Sequence, residues 1–182
     1  VVIGPMTSTE ALAIAKYAEV LGVVLLSPGA TTDELTEYRD YVFRTVSSDR
    51  YLGLGLGKIV GGNEAFEDIM ILHTDDSYGI GLVDLFVEEL AKYHKEPKAV
   101  VDIPLETYET EFDMDAFVAQ MKQINPDAVF AVTPNSASFV ELMEKADKAG
   151  LHPQWFVTDN SASSEVASSG EFAEGVIAAV PS

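Results

Sequence analysis

The chain has 182 residues, 47% of them hydrophobic, which is enough to core one large α/β domain or two small ones. Its formal net charge of −19 argues against nucleic acid or an anionic membrane surface as partner, because both are met by Lys and Arg. Cysteine is absent, which removes disulfides, zinc–thiolate sites and thiol catalysis.

No window of about 18 apolar residues is available to span a bilayer. Val1-Val2-Ile3-Gly4 reads as a buried strand, without the basic head or cleavage site of a signal peptide. Thr7-Ser8-Thr9-Glu10 is a capping box opening a helix with Leu12, Ile14, Ala15, Ala18 and Val20 on its apolar face. Gly22 ends that helix, and Val23–Leu26 follows as a strand. A short capped turn over 31–35 leads to a third strand over 41–45. Ser47-Ser48-Asp49 supplies caps for a helix running through Leu52, Leu54, Leu56, Ile59 and Val60.

From there strands and helices alternate: strand 68–74, helix 81–93, strand 99–104, helix 113–124, strand 127–133 and helix 136–148, closed by Gly150. Strand 155–158, a Ser- and Ala-rich loop with a helical turn over 161–171, and a strand over 176–180 complete the chain. The alternation predicts parallel sheets covered by helices on both faces. Beginning and ending on strands, the sequence reads as an excerpt of a longer protein.

Several strand-to-helix junctions are rich in hydroxyls and acids: Thr7-Ser8, Gly29-Ala30-Thr31, Asp75-Asp76-Ser77-Tyr78 and Thr158-Asp159-Asn160. In open α/β sheets ligands bind at the carboxyl ends of strands, where helix N-termini offer free N–H groups. All four junctions fall on that side.

Motifs for chemistry are incomplete. The run Gly53-Leu54-Gly55-Leu56-Gly57-Lys58 fails as a phosphate loop, because Leu52 stands at the first-glycine position and Ile59 follows the lysine. Its small residues instead suit close helix packing. Asp75-Asp76 lacks the separate acceptor Asp and Lys of a phosphorylated receiver and fits a turn and helix cap. His73, His94 and His152 share no spacing with a carboxylate cluster, and no G-x-S-x-G elbow exists. No catalytic activity, metal or cofactor is expected.

The series Val2-Ile3-Gly4-Pro5, Thr7-Ser8, Leu26-Ser27-Pro28-Gly29-Ala30-Thr31 and Phe43-Arg44-Thr45 with Asp49 resembles the leucine/isoleucine/valine-binding protein family. So do Asp75-Asp76-Ser77-Tyr78-Gly79-Ile80-Gly81-Leu82, Glu111-Phe112-Asp113, Pro126-Asp127-Ala128-Val129 and Ala149-Gly150-Leu151. The resemblance runs the length of the chain. It implies a type I periplasmic-binding-protein clamshell, α/β in class, with residues 1–47 as part of lobe I and 48–180 as lobe II.

The implied function is extracytoplasmic capture of an amino acid or similar small zwitterion, in the periplasm or at the cell surface. An ABC importer with its membrane permease would take the ligand on. A sensor of the same fold, coupled to a receptor signalling module, is the alternative, and a flavodoxin-like enzyme or receiver the remoter one. The resemblance places Ser8 and Thr31 on the ligand carboxylate and the Gly29 carbonyl on its ammonium. Tyr78 would close from the far lobe, and Asp159 would pair with the ammonium. Pro134-Asn135-Ser136 departs from the aromatic that leucine-type pockets carry, so branched-chain specificity is not carried over.

Overall fold

The computed structural model describes residues 1–104 and 112–180. Glu111 of the motif quoted above lies outside the described residues, as do Pro181 and Ser182. Three short strands, β1 (Val2–Ile3), β2 (Leu25–Ser27) and β3 (Val42–Arg44), form a parallel sheet in that order. Five more, β4 (Ile69–Thr74), β5 (Ala99–Ile103), β6 (Ala128–Val132), β7 (Gln154–Val157) and β8 (Ile177–Ala178), form a second parallel sheet ordered β5-β4-β6-β7-β8. Counted from β4, this is the 2-1-3-4-5 winding of doubly wound domains, whose ligand crevice opens at the carboxyl ends where the winding reverses.

The helices are α1 (Ser8–Leu21), α2 (Asp49–Gly61), α3 (Ser77–Ala91), α4 (Met114–Ile124), α5 (Ser136–Lys148) and the single turn α6 (Ser164–Ala167). The five long ones each start on a side-chain cap: Thr7, Ser48, Asp76, Asp113 and Asn135 accept from Glu10, Arg50, Gly79, Ala116 and Ser138 N–H respectively. Each cap satisfies a backbone donor that the helix itself leaves open. Among the described residues no helix is long and apolar enough to cross a membrane.

The five-stranded sheet is covered on both faces. On one, α2 and α3 bury Leu56, Val60, Leu82 and Phe86 against Ile71 and Phe130, with Phe86 stacked on Phe130 at 4.5 Å. On the other, α4 and α5 bury Phe117, Met121, Phe139 and Leu142 against Met70, Leu72 and Trp155. The glycine run is explained by the first of these layers. A Cβ on Gly53 would sit 2.6 Å from Leu85 Cβ, and one on Gly57 2.7 Å from Glu89 Cβ. Bare backbone on one stripe of α2 lets α3 approach that closely.

Among the described residues the three-stranded sheet is covered on one face only. There Ala11, Ala15 and Ala18 of α1 meet Leu25 and Val42. Register aligns Ile3, Leu26 and Phe43 on the other face, where Ile3 is 79% and Phe43 47% exposed.

Three local expectations need correction. The first strand, read as buried, is exposed at Val1, Val2 and Ile3, because it lies at the edge of the small sheet. Val20 is exposed: at about 100° per residue it falls opposite Ala11, so it cannot join the alanine stripe. Helix α3 begins at Ser77 rather than Gly81, because the Asp76 side chain caps it. Gly79 makes this start possible, since any Cβ there would overlap the Thr74 carbonyl.

Candidate functional site

Four chain segments converge where the carboxyl ends of the two sheets face each other. They are the β1–α1 loop, the loop after β2, the first turn of α3 and the turn after β7. Together Met6, Thr7, Ser8, Gly29, Thr31, Asp76, Tyr78, Asp159 and Asn160 line a cavity of about 150 Å³. Ser8, Gly29, Thr31, Tyr78 and Asp159, singled out in the sequence, all border this one space. A wider depression of about 600 Å³ lies between α4 and α5, lined by charged side chains such as Asp115, Lys122 and Lys145, and shares no lining residue with this cavity.

On the first side the backbone is tightly held. Ser27 Oγ donates to the Pro5 carbonyl at 2.6 Å and accepts from Ala30 N–H at 3.0 Å, tying the two loops together. Ser8 is buried in the first turn of α1, and its Oγ accepts from Thr32 N–H at 3.2 Å. That bond uses a lone pair and leaves the hydroxyl proton for donation. The Thr31 carbonyl accepts from Asp49 N–H at 2.8 Å and from Arg44 Nη1 at 3.0 Å. Gly29 packs on Met6, whose carbonyl oxygen a Cβ would approach to 2.8 Å.

On the second side, Tyr78 Oη lies 2.8 Å from Thr158 Oγ1 and 2.6 Å from Asp159 Oδ1. With one proton to give, the phenol donates it to the carboxylate, the shorter contact. Burial, and then the Asp159 charge, raise the Tyr78 pKa above the usual tyrosine value, so the phenol stays a donor. The two sides touch through Ser77 N–H, which donates to Thr9 Oγ1 at 3.2 Å.

Asp49 is the residue that sequence reading missed. Taken as one of three capping residues, it is instead the first residue of α2, with Ser48 as the cap. Its side chain is 1% exposed and neither carboxylate oxygen has a hydrogen-bond partner. Burial pushes its pKa up to about 7, with Asp159 adding to the rise. The Thr31 side chain and Arg44 approach closely enough to oppose the shift without completing a hydrogen bond or ion pair to the carboxylate. Its one readable signal was position, just after Phe43-Arg44-Thr45.

His73 is buried, and its Nε2 meets Asp102 Oδ1 at 2.8 Å across the β4–β5 register. Among the described residues no group of His, Asp or Glu is arranged to hold a metal. Asn135 caps α5, and neither it nor Pro134 or Ser136 borders the cavity.

A family model described as the receptor family ligand binding region matches residues 1–182. A Leu/Ile/Val-binding protein homolog 2 of Brucella abortus (strain 2308) is 29% identical over 163 residues, covering 88% of this chain and 42% of that protein. The leucine-, isoleucine-, valine-, threonine-, and alanine-binding protein of Pseudomonas aeruginosa is 25% identical over 183 residues, 99% of this chain and 48% of that one. Among solved structures, a leucine-binding protein from Thermotoga maritima superposes with a TM-score of 0.78 at 22% identity, over 97% of this chain and 49% of that one. The chain thus spans about half the length of the relatives it matches.

Proposed function

The chain belongs to the receptor family ligand binding region, has the fold of type I periplasmic binding proteins, and on that footing we propose that it captures an amino acid or similar small zwitterion. The observation that carries the reading is the convergence of Ser8, Gly29, Thr31, Tyr78 and Asp159 on one cavity of about 150 Å³. Hydroxyls at the N-terminal turn of α1 and in the β2 loop suit a carboxylate, which helix N-termini attract. Asp159, held by Tyr78, suits an ammonium through a charge-assisted bond. The volume favours a small ligand over a drug-sized one.

In this reading residues 1–47 belong to lobe I and 48–180 to lobe II, and the ligand is gripped between them. The whole protein acts outside the cytoplasm as a binding protein rather than an enzyme, delivering its ligand to an ABC permease, as the named amino-acid-binding relatives suggest. The family description also favours a second reading, in which closure of the same cleft signals to a receptor module. Calorimetric titration of the intact protein with the twenty standard L-amino acids tests the proposal. At least one should bind with unit stoichiometry, and Asp159→Ala should weaken it; no binding across the panel contradicts the proposal.

A further inference from the structure

Among the described residues, the buried side-chain oxygens without a partner are Asp49 Oδ1, Asp49 Oδ2 and Thr32 Oγ1. All three sit around one stretch of backbone, the Thr31 segment that borders the cavity. Buried polar groups are normally satisfied, so a cluster of orphans beside a cleft points to a job done there. The surroundings make it specific: Asp49 is fixed by its own N–H on the Thr31 carbonyl, directly behind a residue that lines the cavity.

We infer that Asp49 is a second acidic group serving the ligand's ammonium, one that gives up a proton when an amino acid enters the cleft. The inference rests on the amino-acid reading above. The charged and titratable groups facing Asp49 are Asp159 after β7, Arg44 on β3, Asp33 in the turn after β2 and Tyr78 on α3. Asp159 and Asp33 disfavour its anion, whereas Arg44 favours it. Arg44 is occupied by the Thr31 and Thr32 carbonyls, at 3.0 and 2.6 Å, and forms no ion pair with Asp49. Burial holds the empty cleft's carboxyl protonated up to about pH 7.

An ammonium beside Asp159 reverses that balance. It offsets the Asp159 charge and adds a positive one, so the Asp49 O–H bond breaks and the proton leaves to solvent. Asp49 acts here as a positioning residue, through the field it shares with Asp159 at the cleft.

The test uses the tightest binder among the twenty standard L-amino acids, titrated into the intact protein between pH 5.5 and 8.0. Affinity should rise about tenfold or more across this range, as expected for one linked deprotonation. Enthalpies compared in buffers of different ionisation heat should show close to one proton released near pH 6. Asp49→Asn should match wild type at pH 5.5, bind about tenfold more weakly at pH 8.0, and release no proton. A wild-type affinity independent of pH, or an Asp49→Asn profile that still rises like wild type, overturns the inference while leaving the site standing. Loss of all binding on Asp159→Ala, with the wild-type pH profile flat, separates the two ideas further: the site is confirmed and the proton linkage is not. If no amino acid binds at all, both ideas fall together.

Discussion

Tyr78 Oη lies 2.6 Å from Asp159 Oδ1 although 81 residues separate them in the chain. The bond joins the first turn of α3 to the turn after β7, so it can form only when the five-stranded sheet has assembled. It fixes the direction of the carboxylate that would meet an ammonium. A site built from such a pair is preorganised, and less ordering remains to be done when ligand arrives.

Removing that carboxylate should therefore cost more than removing its support. Asp159→Ala should weaken amino-acid binding by about 2–4 kcal/mol, the loss of a charged partner in a partly dried cleft. Tyr78→Phe should cost about 1 kcal/mol, a neutral donor's share. Calorimetry on both variants checks the order; equal or reversed losses would remove Asp159 from the ammonium.

Asp49 should also leave a mark on stability. Its pKa rises from 3.8 to about 7 on folding, so between those values the folded state binds more protons than the unfolded one. Stability then falls as pH rises through this window and stays reduced above it. Asp49→Asn removes the ionisable group, so it should stabilise the protein at pH 8 by on the order of a few kcal/mol and hardly at all at pH 4. Thermal melts at the two pH values decide this. The same change in Tm at both would mean that Asp49 is not held neutral by burial.

The glycine stripe of α2 offers a packing test with an internal control. Gly57→Ala should destabilise by about 1–3 kcal/mol, because the new methyl would meet Glu89 Cβ at 2.7 Å and the Phe86 carbonyl at 2.8 Å. A Cβ on Gly55 would meet nothing within 4 Å, so Gly55→Ala should stabilise by about 0.5–1 kcal/mol through helix propensity alone. Denaturant midpoints for the two variants should move in opposite directions.

Much of this was legible from sequence because the signals were local. Caps such as Thr7 and Ser48, the αL stop at Gly22, and the alternation of strand and helix all act within a few residues. The five cavity residues were found through motif order, since each one sits at a strand-to-helix junction. What escaped were relationships across the sheet. The His73–Asp102 pair depends on β4–β5 register, and the burial of Asp49 depends on how α2 docks behind the β2 loop. Nothing in the spacing of Ser47-Ser48-Asp49 says which acid will be capped, solvated or enclosed. Val20 was misplaced because its hydrophobicity outweighed its helical phase.

The open row of Ile3, Leu26 and Phe43 carries a prediction about the 182-residue chain on its own. With that face exposed, residues 1–47 should be cut readily by protease, whereas 48–180, covered on both faces, should resist. Limited proteolysis with mass analysis of the fragments reads this directly. A protected segment 1–47 beside a degraded 48–180 would contradict the division into lobes.

The central claim is that one ligand is held from both sides of the cleft, by Ser8 and Thr31 on one and by Tyr78 and Asp159 on the other. The most direct test is calorimetric titration of the intact protein in two double variants, Ser8→Ala with Thr31→Val and Tyr78→Phe with Asp159→Ala. Each pair should weaken the tightest-binding L-amino acid at least tenfold, about 1.4 kcal/mol or more, with the folded structure retained. Wild-type affinity in either double variant would place the ligand wholly on the other side and contradict the account.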